Sequence, residues 1–279
     1  MQYFKNPWTP FVFDSQFIKL PIAKGMSYNL TALRPDWMTY LLSRLTKLQT
    51  KDEYFIDIGA NLGQTLINYS KVSPEKKYVG FEPDVYCSVY LKRLVELNKF
   101  DNCLIIPIGI SEENKLLKLY SASPTDCGAT FREQLRPSRR LFSSIVPTIL
   151  LDDAVHQLDL KPVSLIKIDV EGWELEVLKG MSNILQEYRP TIICEIIFRD
   201  SNAPLAEHQE RSLELTSILD KFQYVIFQLI KSPDLQRVEG LKKIKIFSEE
   251  IWSVENKDLC DYLLVPQDRI KQILSTLDI

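Results

Sequence analysis

Two short acidic segments hold most of the chemistry in this sequence. The first is Asp57-Ile58-Gly59-Ala60-Asn61-Leu62-Gly63, which ends one apolar run and opens onto a helical pattern. A turn of this kind brings backbone N–H groups and a helix N-terminus up to a polar ligand. It is not the dinucleotide fingerprint Gly-x-Gly-x-x-Gly. Counted from Gly59, the second glycine position holds Asn61 and the third holds Gln64. Glu82 comes nineteen residues after Gly63, in Gly80-Phe81-Glu82-Pro83 at the end of the next apolar run. An acid about 20 residues on, at the tip of the second strand, can accept both hydroxyls of a ribose. Together the turn and Glu82 point to an adenosine-containing ligand; the alternative is a tight structural turn followed by a loop anion.

The second segment is Ile166-Lys167-Ile168-Asp169-Val170-Glu171-Gly172-Trp173-Glu174. Asp169 ends a strand beside the same crevice, where a carboxylate can orient an aminoacyl group or act as a general base. Glu171 either serves the chemistry or caps the following helix, and Trp173 reads as packing. Lys167 can neutralise either acid. Glu195 interrupts the apolar run 192–197, so it is either functional or part of a structural ion pair, because an isolated buried charge is costly. His156 and His208 are isolated. No His, Cys and Asp set has metal-ligand spacing, and no serine sits in a nucleophile elbow.

These residues need a sheet to hold them. Short apolar runs at 54–58, 78–81, 104–108, 164–169 and 191–196 alternate with helical patterns at 64–71, 84–99, 174–178 and 207–221. That alternation predicts an α/β fold with a mostly parallel sheet and helices on both faces. Asp84 caps the second of these helices, with Val85, Val89, Leu94 and Leu97 on its apolar side; Leu213, Leu215, Ile218 and Leu219 do the same for the last. An extra strand is expected over 116–120 and a short helix from Asp152. Strands at 224–229 and 262–265, separated by irregular material, are expected to pair antiparallel at one edge before a tail helix over 267–277. Residues 121–145 read as irregular, with Pro124, Gly128 and Pro137. Their arginines, Arg132, Arg136, Arg139 and Arg140, are either solvated or substrate-facing. Residues 1–50 read as an N-terminal unit: an extended arm broken by Pro7, Pro10, Pro21 and Pro35, then a helix capped by Asp36. Residues 51–279 form the main domain.

Composition narrows the function further. The 279 residues are 45% hydrophobic and 25% charged, with a net charge of −3, ordinary for a globular chain with a full core. That balance argues against bulk nucleic acid or an anionic membrane as the main partner. Five cysteines, at 87, 103, 127, 194 and 260, have no metal or redox spacing, which makes a reducing, cytoplasmic setting the expectation. No signal peptide or membrane span is read. Oligomeric state is left open; a homodimer, with the arm reaching a neighbour, is one option.

Five segments together resemble the FkbM family of S-adenosylmethionine-dependent methyltransferases. They are residues 54–63, Gly80-Phe81-Glu82-Pro83, Ile149-Leu150-Leu151-Asp152-Asp153, Ile166–Gly172 with Glu174, Val177, Leu178 and Gly180, and Asp261-Tyr262-Leu263-Leu264-Val265-Pro266. The resemblance implies a Rossmann-like class I methyltransferase with a mostly parallel seven-stranded sheet and an antiparallel edge strand. It implies S-adenosyl-L-methionine as cofactor and a hydroxyl of a small molecule or glycan as acceptor. Asp57, Gly59, Asn61 and Gly63 would surround the methionine part, Glu82 with Pro83 the ribose, Ile110 and Ser111 the adenine, and Asp169 the sulfonium.

An alcohol is a poor nucleophile at neutral pH, so a base or a metal is expected. Asp169, Glu171 and Glu195 are the candidate bases. A divalent ion bridging two of them is compatible with the spacing and not required by it. The competing readings are a nicotinamide-dependent oxidoreductase, which the missing glycine spacing disfavours, and a non-catalytic Rossmann-like module.

Overall fold

The computed structural model describes residues 7–23, 30–123, 128–135, 142–201 and 203–279. Pro124, Arg136, Pro137, Arg139 and Arg140, singled out above, lie outside them. The N-terminal segment is more regular than its prolines suggest. Strands β1 (Trp8–Phe13) and β2 (Gln16–Pro21) form an antiparallel hairpin closed by Asp14 and Ser15 at φ 41° and 71°. Left-handed two-residue turns match the twist of the strands they join. A two-stranded sheet consists only of edges, and that is where proline is tolerated. Phe11, Phe13, Ile18 and Leu20 alternate onto one face and are buried, at about 1.5–3 kcal/mol each. Asn98 fastens the hairpin to the body, donating to the Lys19 carbonyl at 2.9 Å and accepting from the Lys19 N–H at 2.8 Å.

Helix α1 (Trp37–Leu45) starts at Asp36, whose carboxylate accepts from Met38 and Thr39 N–H while Thr39 Oγ1 accepts from the Asp36 N–H. That reciprocal cap fixes the helix start. Then follow β3 (Tyr54–Ile58), α2 (Gln64–Val72), β4 (Lys77–Phe81), α3 (Val85–Asn98), β5 (Cys103–Ile106), β6 (Gly109–Ile110), β7 (Lys115–Ser121), β8 (Phe142–Ile149), α4 (Leu151–Gln157), β9 (Val163–Ile168), α5 (Glu174–Lys179), α6 (Ser182–Glu187) and β10 (Thr191–Glu195). The chain ends with α7 (Leu205–Lys221), β11 (Tyr224–Lys231), β12 (Val238–Ile244), β13 (Asp261–Pro266) and α8 (Ile270–Leu277).

The main sheet is mixed and has eight strands, in the order β12-β11-β13-β10-β9-β3-β4-β5. The expectation of seven strands with one antiparallel edge is corrected in two places. β13 runs antiparallel between β10 and β11, inside the sheet. The edge belongs to β12, antiparallel to β11, within the stretch read as irregular. Its sequence, Val-Glu-Gly-Leu-Lys-Lys-Ile, buries only Val238, so no apolar pattern announced it. β8 was missed for the same reason: Phe142 to Ile145 are all exposed, yet it pairs with both β6 and β7 in a separate three-stranded sheet.

Strand alternation sends side chains to two cores. Phe55, Leu165, Ile193 and Leu263 join the hairpin, α1, α2, α3 and α8. Ile56, Ile166, Ile192 and Leu264 join α4 to α7. The apolar side of α3 is Cys87, Tyr90, Leu91 and Leu94; Val85 and Val89, expected there, are exposed, as is Leu213 on α7. Among the described residues no helix is long and apolar enough to cross a membrane.

Candidate active site

The glycine turn sits where β3 hands over to α2. Gly59 has φ 84°, and a Cβ there would lie 1.8 Å from the Asp169 carbonyl oxygen. The β3 and β9 tips cross so closely at this point that no side chain fits. Gly59 and Ala60 N–H both donate to the Phe81 carbonyl, and Asn61, at φ 47°, turns its N–H onto Glu82 Oε2 at 2.7 Å. Glu82 Oε1 accepts from Asp84 N–H at 2.8 Å. One carboxylate thus ties the turn to the start of α3, which Asp84 caps. Burial pushes the Glu82 carboxyl up to about 7, against the pull of its two backbone donors.

The acids form a row along the strand tips. In register, Asp57 lies beside Lys167, Cys194 beside Ile168, and Glu195 beside Asp261. Period-two geometry therefore puts Asp57, Lys167, Asp169, Glu195 and Asp261 on the face of the sheet covered by α1. Lys167 Nζ is 2.9 Å from Asp169 Oδ2 and 3.6 Å from Asp57 Oδ1. Burial works against its charge, but Asp169 and Asp57 hold the ammonium above the ordinary lysine range. Asp57 is fully buried and takes a 2.6 Å hydrogen bond from Tyr78 OH; burial raises its carboxyl, Lys167 and Tyr78 notwithstanding. Lys231 forms an ion pair with Asp261 and lies 4.2 Å from the Trp37 ring centre. Glu195 is caught between two acids. Asp169 first, then burial and Asp261, push its carboxyl up, and a side-chain hydrogen bond with Asp169 adds to the shift.

Two cavities meet at this row. One, of about 410 Å³, is walled by Gly59, Asn61, Glu82, Pro83, Ile110, Asp169, Glu171 and Glu195, among others. The second, about 380 Å³, shares Trp37, Met38, Lys167, Asp169 and Glu195 with it and adds Lys231, Trp252, Lys257, Asp258 and Asp261. Three expected positions stand behind the walls. Asp57 is fully buried, Gly63 packs against Leu91 and Leu94 of α3, and Ser111 is buried and accepts from Trp173 Nε1 at 3.3 Å.

Glu171 has a left-handed backbone, φ 52°, next to Gly172 at 92°. Thr130 Oγ1 and Arg211 Nη2 pin the two carbonyls, and Glu174 Oε1 takes the Gly172 N–H. Strain held in this way is found at functional loops. The N-cap of α5 is Trp173, and no side chain bonds there as a cap; its ring packs on Phe131 at 5.5 Å. Arg132 pairs with Glu207. His156 is exposed, and His208 meets the Ser248 carbonyl at 2.9 Å. Among the described residues no cluster of three or more His, Cys, Asp or Glu is arranged to hold a metal ion.

Sequence reasoning did not single out Trp37, Tyr78, Lys231, Trp252 or Asp261. Only Asp261 left a trace, as an acid at the head of an apolar strand. The others reach the site through strand order and through α1.

Known proteins give the comparison. The chain is 28% identical over 145 residues to the hexuronic acid methyltransferase AglP of Haloferax volcanii, covering 51% of this chain and 56% of that one. It is 22% identical over 162 residues to Methyltransferase 1 of Beauveria bassiana, covering 52% and 65%. The chain therefore spans between about half and two thirds of these relatives' lengths. The crystal structure of methyltransferase FkbM from Methylobacillus flagellatus KT aligns with a TM-score of 0.45 at 20% identity, over 76% of this chain and 49% of that one. Residues 57–226, which run from the buried acid of β3 into β11, match the methyltransferase FkbM domain, and the chain belongs to that family.

Proposed function

We propose that this protein transfers the methyl group of S-adenosyl-L-methionine to a hydroxyl oxygen of a small molecule or glycan. The observation that carries the reading is Glu82, a buried acid on the cavity wall bonded to the glycine turn, 19 residues beyond Gly63 and at the tip of β4. A volume of about 410 Å³ is in the ~300–1,000 Å³ range of sites that enclose a ligand of this size. Each Glu82 oxygen already accepts one backbone N–H and keeps a further lone pair for a ribose hydroxyl. Gly59 and Asn61 offer close backbone approach, and Pro83 and Ile110 offer apolar wall. Gly63 acts from behind by letting the turn pack on α3, Asp57 by facing Lys167, and Ser111 by holding Trp173.

The cofactor supplies a methyl group already activated on sulfur. The chain's work is to align an acceptor oxygen with that methyl and to take its proton. Alignment is worth up to ~7–11 kcal/mol. Asp169 faces both cavities and is held by Lys167 as a carboxylate, which makes it the proton acceptor in this reading. Glu195, protonated, donates a hydrogen bond beside it, and Glu171 closes the wall. The second cavity receives the acceptor. The name of the Haloferax relative brings sugar acids into the set of acceptors to try.

The test starts with calorimetry of S-adenosylhomocysteine binding, followed by transfer of labelled methyl to neutral sugars, uronic acids and simple alcohols, with and without chelator. Turnover is then compared for Asp169→Asn, Glu171→Gln and Glu195→Gln. Loss of a positioned base costs ~10²–10⁴-fold, expected for Asp169→Asn and much less for Glu195→Gln, which keeps a donor. Near-normal rates in all three overturn the mechanism, and absence of binding overturns the cofactor assignment.

A further inference from the structure

One buried atom near the site is left unmatched. Asp57 Oδ1 is shielded from solvent and has no hydrogen-bond partner among the described residues, whereas Oδ2 of the same carboxylate is held by Tyr78 OH at 2.6 Å. A buried acceptor left unpaired is costly. The group pointing towards it is Lys167, whose Nζ stands 3.6 Å away, just outside hydrogen-bond range, because it is drawn 2.9 Å from Asp169 Oδ2. The ammonium thus has one occupied partner and one waiting, on adjacent strands in register. It borders both cavities, and closing the gap to Asp57, which is buried behind their walls, takes a movement of under about 1 Å.

We propose that Lys167 is a two-position counter-ion that passes from Asp169 to Asp57 when Asp169 takes up the proton of the methyl acceptor. The proposal rests on the methyl-transfer reading above. In that step the acceptor O–H bond breaks and its proton goes to an Asp169 carboxylate oxygen. The freed electron pair on oxygen forms the new bond to the methyl carbon, and the carbon–sulfur bond breaks with its pair left on sulfur. Asp169 loses its charge at that moment. Without a second partner, Lys167 would become a buried ammonium with no counter-charge, and that penalty would fall on the step itself. Asp57, immobilised by Tyr78, receives the ammonium and gains the bond it lacked.

The neighbours fit this division. On β10, the Glu195 carboxyl is raised chiefly by Asp169. Asp261 on β13 is occupied by Lys231 from β11. Glu171, after β9, lines the first cavity with Asp169 and acts on Glu195 as a further like charge. Lys167 is therefore a positioning residue: it acts on the acceptor only through Asp169.

The test needs neither cofactor nor acceptor. Asp169→Asn mimics the protonated carboxyl. In its crystal structure Lys167 Nζ is expected within hydrogen-bond distance of Asp57 Oδ1, ~2.8–3.0 Å; an ammonium still seated on residue 169, or turned to solvent, overturns the proposal. Stability supplies the second measurement. Asp57→Asn and Asp169→Asn each leave Lys167 one carboxylate, so each alone is mild. The double variant leaves none, and its folding constant is expected to fall roughly tenfold below the product of the two single effects. That excess should vanish when Lys167→Met is added to all three, which traces it to the ammonium. Additive losses, or an excess that survives Lys167→Met, overturn the proposal. Failure of wild-type protein to bind S-adenosylhomocysteine would instead strike at the cofactor reading and leave these outcomes unchanged.

Discussion

Glu82 offers a pH test of the cofactor site. Its carboxyl is raised from 4.5 to about 7, with burial as the main cause. The folded state therefore holds a proton that the unfolded chain has released between those two values. Stability from this residue is complete below pH ~4.5 and is lost as pH rises to ~7, about 3 kcal/mol over the window. Ribose hydroxyls are donors and need the ionised form. Ligand binding should therefore run in the opposite sense to stability. Affinity for S-adenosylhomocysteine should rise up to ~10-fold per pH unit below 7 and level off above it. Glu82→Ala removes the charged acceptor, at ~1.5–3 kcal/mol, or roughly 10- to 150-fold in affinity, and should flatten the pH dependence as well. Calorimetry from pH 5.5 to 8.5 on both proteins measures the two effects together. An unchanged affinity in the variant, or a pH slope that survives it, would refute the assignment of Glu82 to the ribose.

Other perturbations probe the supports. Gly59→Ala should cost about 3 kcal/mol or more, since its Cβ would meet the Asp169 carbonyl at 1.8 Å from a left-handed backbone; a wild-type urea midpoint would contradict the close approach of β3 and β9. Asn98→Ala removes both bonds to Lys19 and should lower stability by ~2 kcal/mol, read by thermal unfolding; hydrogen exchange should quicken first in the hairpin. Trp252→Ala alters a wall of the second cavity only, so S-adenosylhomocysteine affinity should stay as in wild type while KM for the acceptor rises. Loss of cofactor affinity in this variant would mean that the two cavities do not divide the substrates.

The parts of the fold that were legible in the sequence bury apolar runs. Tyr54–Ile58, Lys77–Phe81, Val163–Ile168 and Thr191–Glu195 are short, dense in branched and aromatic residues, and closed by turn-forming residues, so their type and near-boundaries could be read directly. The hairpin was hidden by Pro10 and Pro21, which usually signal irregular chain; the alternation of Phe11, Phe13, Ile18 and Leu20 was the signal that outweighed them. β12 and β8 are held by ladder hydrogen bonds to a neighbour, and backbone pairing leaves no mark on side-chain pattern. Of the expected α3 face, Leu94 is buried as read, but Val85 and Val89 have the right period and the wrong phase; Cys87, Tyr90 and Leu91 are buried in their place. At the site, Asp57, Glu82 and Asp169 were visible because each ends an apolar strand. Their alignment with Glu195 depends on β10 pairing with β9, and with Asp261 on β13 inserting next to β10, long-range choices that local sequence does not encode.

The same geometry separates two tasks along the chain. Everything that ties the turn to Glu82, and Lys167 to Asp57 and Asp169, lies within residues 57–226, the part that matches the family. Of the residues particular to the second cavity, Ile168, Ile193 and Ile197 lie inside that stretch, while Lys231, Trp252, Lys257, Asp258 and Asp261 come from beyond it, and Trp37, which it shares with the first, comes from before it. Trp37 is not free to drift, because its N–H donates to the Leu235 carbonyl at 2.8 Å and Lys231 covers its ring. Lys231 in turn neutralises Asp261, the last acid of the row, and so limits how strongly that acid acts on Glu195. A change in the outer wall at Trp37 or Lys231 therefore reaches Asp169 through the Lys231–Asp261 ion pair and Glu195. In the proposed reaction, Asp261 links the wall that receives the acceptor to the acids at Asp169, while Glu82, assigned there to the ribose, lies outside that chain of contacts.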